Sequence, residues 1–296
     1  MEQIQIELKL PDEPFIAVFG SSHTHGDCRR GESQHIAKDQ IWTSLLSKSL
    51  GIRVVNFAVP GNDNRVITQQ IIDLFEQPGS ENCRLIIAEV RYGATNIDFS
   101  HSIFADLNVQ PKYIVSPLWA GTDFETTWWK QEVFTQIALG KLNQQYARSI
   151  AAKAMNIKDH SQAPQQAVDV LLSAADGFNK IWGTGHMPLI YDLQSIRTMM
   201  ALADAKGVPF KWFCWSTTNM FRNNNSRQIH DIFEKTTRVF DSIIPEFEDT
   251  VVKGFEKIFG ESEYSSTLCE CKHNNEVLHS WVADQIQPNI IQALNR

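Results

Sequence analysis

Short apolar runs and amphipathic segments alternate along the first part of the chain. Apolar, β-rich runs lie at residues 15–19 (FIAVF), 53–59 (RVVNFAV) and 85–90 (LIIAEV), and each predicts a buried strand. Helical spacing of apolar residues occupies the intervening segments 36–50 and 66–76. Repeated strand, loop and helix units predict an α/β fold built on a parallel sheet with right-handed crossovers.

The pattern changes between residues 98 and 185. Loops there precede segments with helical spacing, LGKLNQQYARSIAAKAMNI and QQAVDVLLSAADGF, so we expect a helical insertion that could act as a cap over the sheet. Two interpretations of its tryptophans stay open, namely packing of the insertion onto the body and stacking against a substrate. These tryptophans are Trp119, Trp128 and Trp129.

The α/β pattern resumes after the insertion. A helix is predicted over 189–206, and a strand over 208–215 follows it. The C-terminal segment becomes a helix, for which we expect Val277, Trp281, Ile286 and Ile290 to face inward. We therefore treat residues 1–296 as one domain that contains the insertion at 98–185.

Composition narrows the class of protein. The chain has 296 residues, of which 43% are hydrophobic and 21% charged, enough for a full globular core. A net charge of −7 without a dense basic run argues against a nucleic-acid partner. Five scattered cysteines favour a reducing compartment over a disulfide framework. Polar and apolar residues alternate over 3–10, which predicts an edge strand. The absence of a signal-peptide core or a membrane-length run predicts a cytoplasmic protein without a membrane span.

Chemically useful residues follow the predicted strands. Ser21 and Ser22 follow the first strand, Gly61 and Asn62 the second, and Arg91 and Asn96 the third. Glu270 and His273 lie in the loop before the last helix. Because open α/β sheets bind ligands at the carboxyl ends of their strands, these positions suit a serine nucleophile with a base, an orienting carboxylate and oxyanion donors.

Three of these loops resemble the sequence blocks of SGNH (GDSL-type) hydrolases. GSSHTHG at 20–26 is similar to the family's GDSxTxG block, and NFAVPGNDN is similar to its second block. ECKHNNEVLHSWVADQI resembles the terminal DxxH block, and the blocks occur in the family's order. The resemblance covers about the first 100 and the last 110 residues and implies a flavodoxin-like, three-layer α/β/α sandwich.

The resemblance implies a role for each matching residue. Ser22 would be the nucleophile and donate a backbone N–H to the oxyanion, and Gly61 would supply a second N–H. His273 would be the general base, oriented by Glu270. The side-chain amide of the family's GxND block matches Asn96 of GATN. Arg91 is expected to compensate if that amide is displaced.

The chain also departs from the family at these blocks. Ser21 and Glu270 both stand where the family has Asp. In GATN the asparagine, Asn96, comes one residue later than the asparagine of the family's GxND block. Because a misplacement of about 1 Å can cost ~100-fold in rate, we expect a weakened enzyme. Its expected substrate is a small acyl ester, such as an acetyl ester of a carbohydrate, and no cofactor is needed.

An alternative from another class stays open. The fold would then be a binding or structural module of a larger assembly or a homo-oligomer, because the substituted blocks also resemble hydrolase-like proteins encoded by bacteriophages. In that case the protein would belong to a virion.

Simpler interpretations exist for single residues. Ser21 and Ser22 are good N-caps, His279 would only assist a helix start, and Asn62 to Asn64 are turn formers. We expect no metal at HTHGDC or at Cys269 and Cys271, because His23 and His25 match variable positions of the first block. The CxC pair has no second pair and so lacks zinc-finger spacing.

Overall fold

The computed structural model describes residues 10–26, 36–59, 62, 64–90, 144–155, 157–181, 187–215, 238–247, 250–269 and 273–295. Its strands are β1 (Phe15–Phe19), β2 (Arg53–Asn56), β3 (Cys83–Val90) and β4 (Phe210–Cys214). They form one parallel sheet in the order β2-β1-β3-β4. The predicted α/β class with a parallel sheet is therefore confirmed.

The strand order defines a switch point at the centre of the sheet. From β1 the chain continues to β2 on one side, whereas β3 lies on the other side of β1 and is followed outward by β4. Phe19 at the end of β1 is in register with Ala88 of β3, and Val90 is in register with Cys214. Doubly wound sheets open a crevice where the strand order reverses, so this sheet favours a ligand site after β1 and β3.

Nine α-helices are present among the described residues. They are α1 (Ser22–His25), α2 (Trp42–Leu50), α3 (Asn64–Glu76), α4 (Gln144–Ala154), α5 (Gln165–Ile181), α6 (Met187–Ala205), α7 (Val251–Phe259), α8 (Glu261–Ser266) and α9 (Glu276–Leu294). The helices predicted between strands thus form at nearly the predicted positions, because their apolar residues recur with the helical period.

Buried side chains form two cores, one on each face of the sheet. The first joins alternate residues of β1 and β3, such as Phe19 and Ile86, to α3 and α6. The second joins the intervening residues, such as Val18 and Ile87, to α2, α7 and α9. Because both faces are covered, most residues of β1, β3 and β4 are apolar, with Glu89 of β3 as a buried exception, and the arrangement is consistent with a three-layer α/β/α sandwich.

The C-terminal helix partly corrects the sequence prediction. Ile286 and Ile290 are buried as expected, but the Val277 side chain is 55% exposed. Leu278 and Val282 face the core instead. The buried residues recur every fourth position on one helical face, and Val277 lies about 100° of helical rotation away from Leu278, whereas Trp281 is partly buried against the same core.

Other predicted elements fall largely outside the described residues. The edge strand at 3–10 is described only at its last residue, and the insertion is described only from residue 144 onward. There α4 and α5 agree with the two predicted helices, whereas Trp119, Trp128 and Trp129 lie outside the described part. Within the described helices, none has the length and apolarity needed to cross a membrane.

Candidate functional site

Ser22 is held at the switch point by a tight turn after β1. It is the first residue of α1 and is partly buried, and α1 ends at Gly26 with a left-handed φ of 79°. A Cβ at Gly26 would lie 2.7 Å from Ile41 atoms, so both its backbone angle and its packing require glycine. The chain thus reverses within a few residues and leaves Ser22 at the carboxyl edge of the sheet.

A buried carboxylate from β3 binds this turn. Glu89 is only 1% exposed, and its Oε1 accepts a hydrogen bond of 2.6 Å from the Ser21 hydroxyl. Its Oε2 accepts from the backbone amides of Ser21 at 3.2 Å and Thr24 at 3.0 Å. Glu89 therefore does what an N-cap side chain usually does, but from a neighbouring strand.

Sequence reasoning missed Glu89. It stands inside a β-rich run, where a single acidic residue has no local signal. Its one available clue was that a charged residue is rare in a strand buried on both faces.

The capping interpretation of Ser21 and Ser22 is not supported by the geometry. Ser21 occupies the N-cap position of α1, yet its side chain makes no capping hydrogen bond. Its hydroxyl donates to Glu89 instead. Among the described residues, the Ser22 hydroxyl has no hydrogen-bond partner, so it is not used to stabilise the helix.

The loop after β2 is anchored by buried polar side chains. Asn62 Nδ2 donates to Gln70 Oε1 at 2.9 Å, and Gln70 Nε2 donates to the Phe57 carbonyl at 3.0 Å. Asn64 Nδ2 donates to Asp192 at 2.8 Å. Because these asparagines are buried and bonded across elements, the expectation that Asn62 and Asn64 serve only as turn formers is wrong.

The loop that carries His273 is closed on itself. Leu268 and Asn274 form an antiparallel bridge, and the Cys269 amide donates to the His273 carbonyl at 2.8 Å. Asn274 accepts a hydrogen bond of 2.9 Å from Trp215 Nε1, at the end of β4, and donates to Thr267 at 3.1 Å. The hydrogen bond from Trp215 therefore ties the position of His273 to the sheet.

This loop packs against the serine turn. The His273 ring centroid lies 5.1 Å from that of His23, the residue that follows Ser22. His23 also stacks on Trp215, with 5.1 Å between centroids and an angle of 12° between the ring planes. Two predicted site residues from opposite ends of the chain, Ser22 and His273, are therefore brought to the same edge of the sheet.

His279 has a structural role that the sequence prediction did not give it. It is 1% exposed, its ring lies 5.4 Å from Trp215, and its Nδ1 accepts a hydrogen bond of 3.4 Å from the Trp42 amide. Burial and, to a lesser extent, the nearby His273 lower the pKa of His279 to about 4. The expectation that it only assists a helix start is therefore wrong, because the neutral ring joins α9 to α2.

This burial predicts an acid-sensitive fold. The unfolded chain protonates His279 below its ordinary pKa of 6.5, whereas the folded chain resists protonation until about pH 4. Stability is thus lost as pH falls through this window, by about 3 kcal/mol between pH 7 and pH 4. This loss is measured by urea unfolding of the parent and of His279→Asn at pH 7 and at pH 4. Asparagine is chosen because it can accept the hydrogen bond from the Trp42 amide but does not titrate. Equal losses in both proteins would contradict this assignment.

Four of the predicted site residues lie outside the described residues, namely Gly61, Arg91, Asn96 and Glu270. Their roles stay predictions. In the part of the chain that the structure describes, no three His, Cys, Asp or Glu side chains come together as a metal site.

The described cysteines are of two kinds. Cys83 and Cys214 are free and buried, and burial raises the pKa of the Cys83 thiol to about 11, which makes it unreactive. Cys269, in contrast, is disulfide-bonded.

Comparison with known proteins does not identify the chain. No protein-family model matches it, and no curated protein gives a significant match. What defines the site is therefore its own geometry: a partly buried serine at the switch point of a parallel sheet, with a histidine loop packed beside it.

Proposed function

We propose that the protein is a serine ester hydrolase of the SGNH type, with Ser22 as nucleophile and His273 as general base. The observation that carries the proposal is the 5.1 Å separation between the rings of His273 and His23, the residue next to Ser22. A serine and a histidine 251 positions apart have no reason from local structure to meet at the ligand-binding edge of a sheet. Nucleophilic catalysis by serine requires a base within hydrogen-bond reach of the serine hydroxyl, and the nearness of His273 to the residue beside Ser22 supports this role.

The proposed reaction is acyl transfer to water. Ser22 Oγ attacks the ester carbonyl and passes its proton to His273, which returns it to the leaving alcohol. Water then releases the acyl group by the same proton relay. The backbone N–H groups of Ser22 and Gly61 would hold the oxyanion, with Asn96 or Arg91 as a further donor and Glu270 orienting His273, as the resemblance implies.

We further propose that the substrate is a small acyl ester, with an acetyl ester of a carbohydrate as the class to test first. The tryptophan-rich insertion supports a sugar carrier, because indole rings stack well on sugar faces.

The first test is covalent labelling of the parent protein with a fluorophosphonate probe, followed by peptide mapping. We expect one label per chain, on the peptide that contains Ser22, and turnover of nitrophenyl acetate that exceeds turnover of nitrophenyl octanoate. Release of acetate from an acetylated oligosaccharide tests the carrier. Folded protein that neither labels nor turns over ester would contradict the proposal and favour the binding or structural module.

A further inference from the structure

The turn that carries Ser22 depends on a partner outside itself. With only four residues, α1 is too short to be stabilised by its own hydrogen bonds, and its N-cap Ser21 does not cap it. The backbone amides of Ser21 and Thr24 instead donate to Glu89 Oε2, and the Ser21 hydroxyl donates to Oε1. Glu89 therefore binds the backbone both before and after Ser22 in the sequence.

The fold makes room for this carboxylate. A Cβ at Gly20 would lie 2.8 Å from Glu89 Oε2 and 2.9 Å from Glu89 Cβ, so any larger residue at position 20 would displace Glu89 or the turn. Two of the described groups that bond the carboxylate are backbone N–H donors and the third is a hydroxyl, so both carboxylate oxygens act as acceptors for the turn. An apolar residue would fill this strand position without the cost of burying a polar group, so the hydrogen bonds are what Glu89 adds.

We propose that Glu89 is a positioning residue for the nucleophile: its carboxylate, supplied by β3, fixes the backbone of the Ser22 turn. The proposal rests on the proposed function, since it assigns Glu89 to the reaction of Ser22. At position 21 the resembled family has Asp, and here the residue is Ser. Here the carboxylate that binds the turn comes from the adjacent strand, whereas the resembled family carries one within the turn.

Mutation can exchange the position of the carboxylate between β3 and the turn. Glu89→Ala removes the carboxylate, and Ser21→Asp places a new one at the N-cap, where Asp accepts from the third amide of a helix. We expect Glu89→Ala to label with fluorophosphonate ~100-fold more slowly, as for a nucleophile misplaced by about 1 Å. Ser21→Asp alone is also expected to lose activity, because two carboxylates then share one site. The double variant should recover to within about tenfold of the parent, because the two sites are coupled.

Hydrogen exchange gives a readout that does not need catalysis. Peptides that cover residues 20–26 should exchange at least ~10-fold faster in Glu89→Ala, because the Ser21 and Thr24 amides lose their acceptor. Peptides from α9 serve as the internal reference and should not change. If Glu89→Ala does not fold, Glu89→Gln replaces it, since glutamine keeps the shape and one acceptor oxygen while removing the charge. For it we expect ~10-fold slower labelling with the unfolding midpoint within a few degrees of the parent.

The outcomes separate the two proposals. Parent-like labelling by folded Glu89→Ala, or slow labelling that Ser21→Asp does not rescue, would overturn the positioning role and leave Glu89 a packing residue. Unchanged exchange over 20–26 would overturn it as well. If the parent itself does not label, the proposed function fails, while the exchange experiment still decides whether Glu89 holds the turn.

Discussion

The Ser22→Ala variant is expected to fold like the parent and to lose ester hydrolysis by about 10⁴-fold or more, down to the background rate. Its hydroxyl has no hydrogen-bond partner among the described residues, and the side chain is only partly buried. Removing the oxygen should therefore change the free energy of unfolding by less than about 0.5 kcal/mol. The rate falls because no other atom forms the acyl-enzyme, and what remains comes from binding and oxyanion stabilisation.

Steady-state kinetics with nitrophenyl acetate and labelling with the fluorophosphonate probe measure this effect. A matched control is Ser265→Ala, which removes an exposed serine hydroxyl of α8 that donates only to the Glu261 carbonyl. It should keep the parent's rate and labelling. Hydrolysis by Ser22→Ala at a tenth of the parent's rate or faster would rule out Ser22 as the nucleophile, because loss of the nucleophile lowers the rate by far more than tenfold.

Replacement of His273 by glutamine is expected to lower kcat by ~100- to 10,000-fold, the usual contribution of a general base. The unfolding midpoint should change little, because the loop is held by bonds from Cys269, Asn274 and Trp215 that do not use the imidazole of His273. The rise of activity with pH that reports deprotonation of the base should also disappear.

His160→Gln is the matched control for this variant, because His160 is exposed and lies in a 3-10 turn of the insertion. It should leave both kcat and the pH profile unchanged. If His273→Gln keeps a parent-like rate and profile, the base assignment is wrong. His23, whose ring lies 5.1 Å from that of His273, would then be the next histidine to replace.

Trp215 connects several residues of the candidate site. Trp215 stacks on His23, bonds Asn274 and lies 5.4 Å from His279. Changes in any of these groups are therefore expected to affect the orientation of the His273 loop, and double-variant cycles are needed to separate their contributions.

Local sequence pattern was enough to predict most of the regular elements. β1 was predicted at its observed bounds, and β3, β4, α3 and α6 form within a few residues of their predicted positions. These elements have strong apolar periods, and both faces of a parallel sheet must be covered, so sequence spacing alone indicates the fold class. Ser22 could be placed for the same reason, since it lies in the turn that follows the first buried strand.

The contacts that shape the site were decided by the tertiary structure. Glu89 and Ser21 are 68 positions apart, and the Trp42 amide and His279 are 237 positions apart, so no local period indicates either pair. Likewise, burial of Asn62 and exposure of Val277 depend on which elements pack against each loop and helix. Sequence pattern by itself indicated the ends of β1, β3 and β4 to within one residue, whereas β2 ends at Asn56 instead of the predicted residue 59, and the resemblance nominated Ser22 as nucleophile. The resemblance predicted that His273 belongs to the site of Ser22, but only the tertiary structure decided that a carboxylate from β3 binds the serine turn, because that contact arises from packing between distant segments.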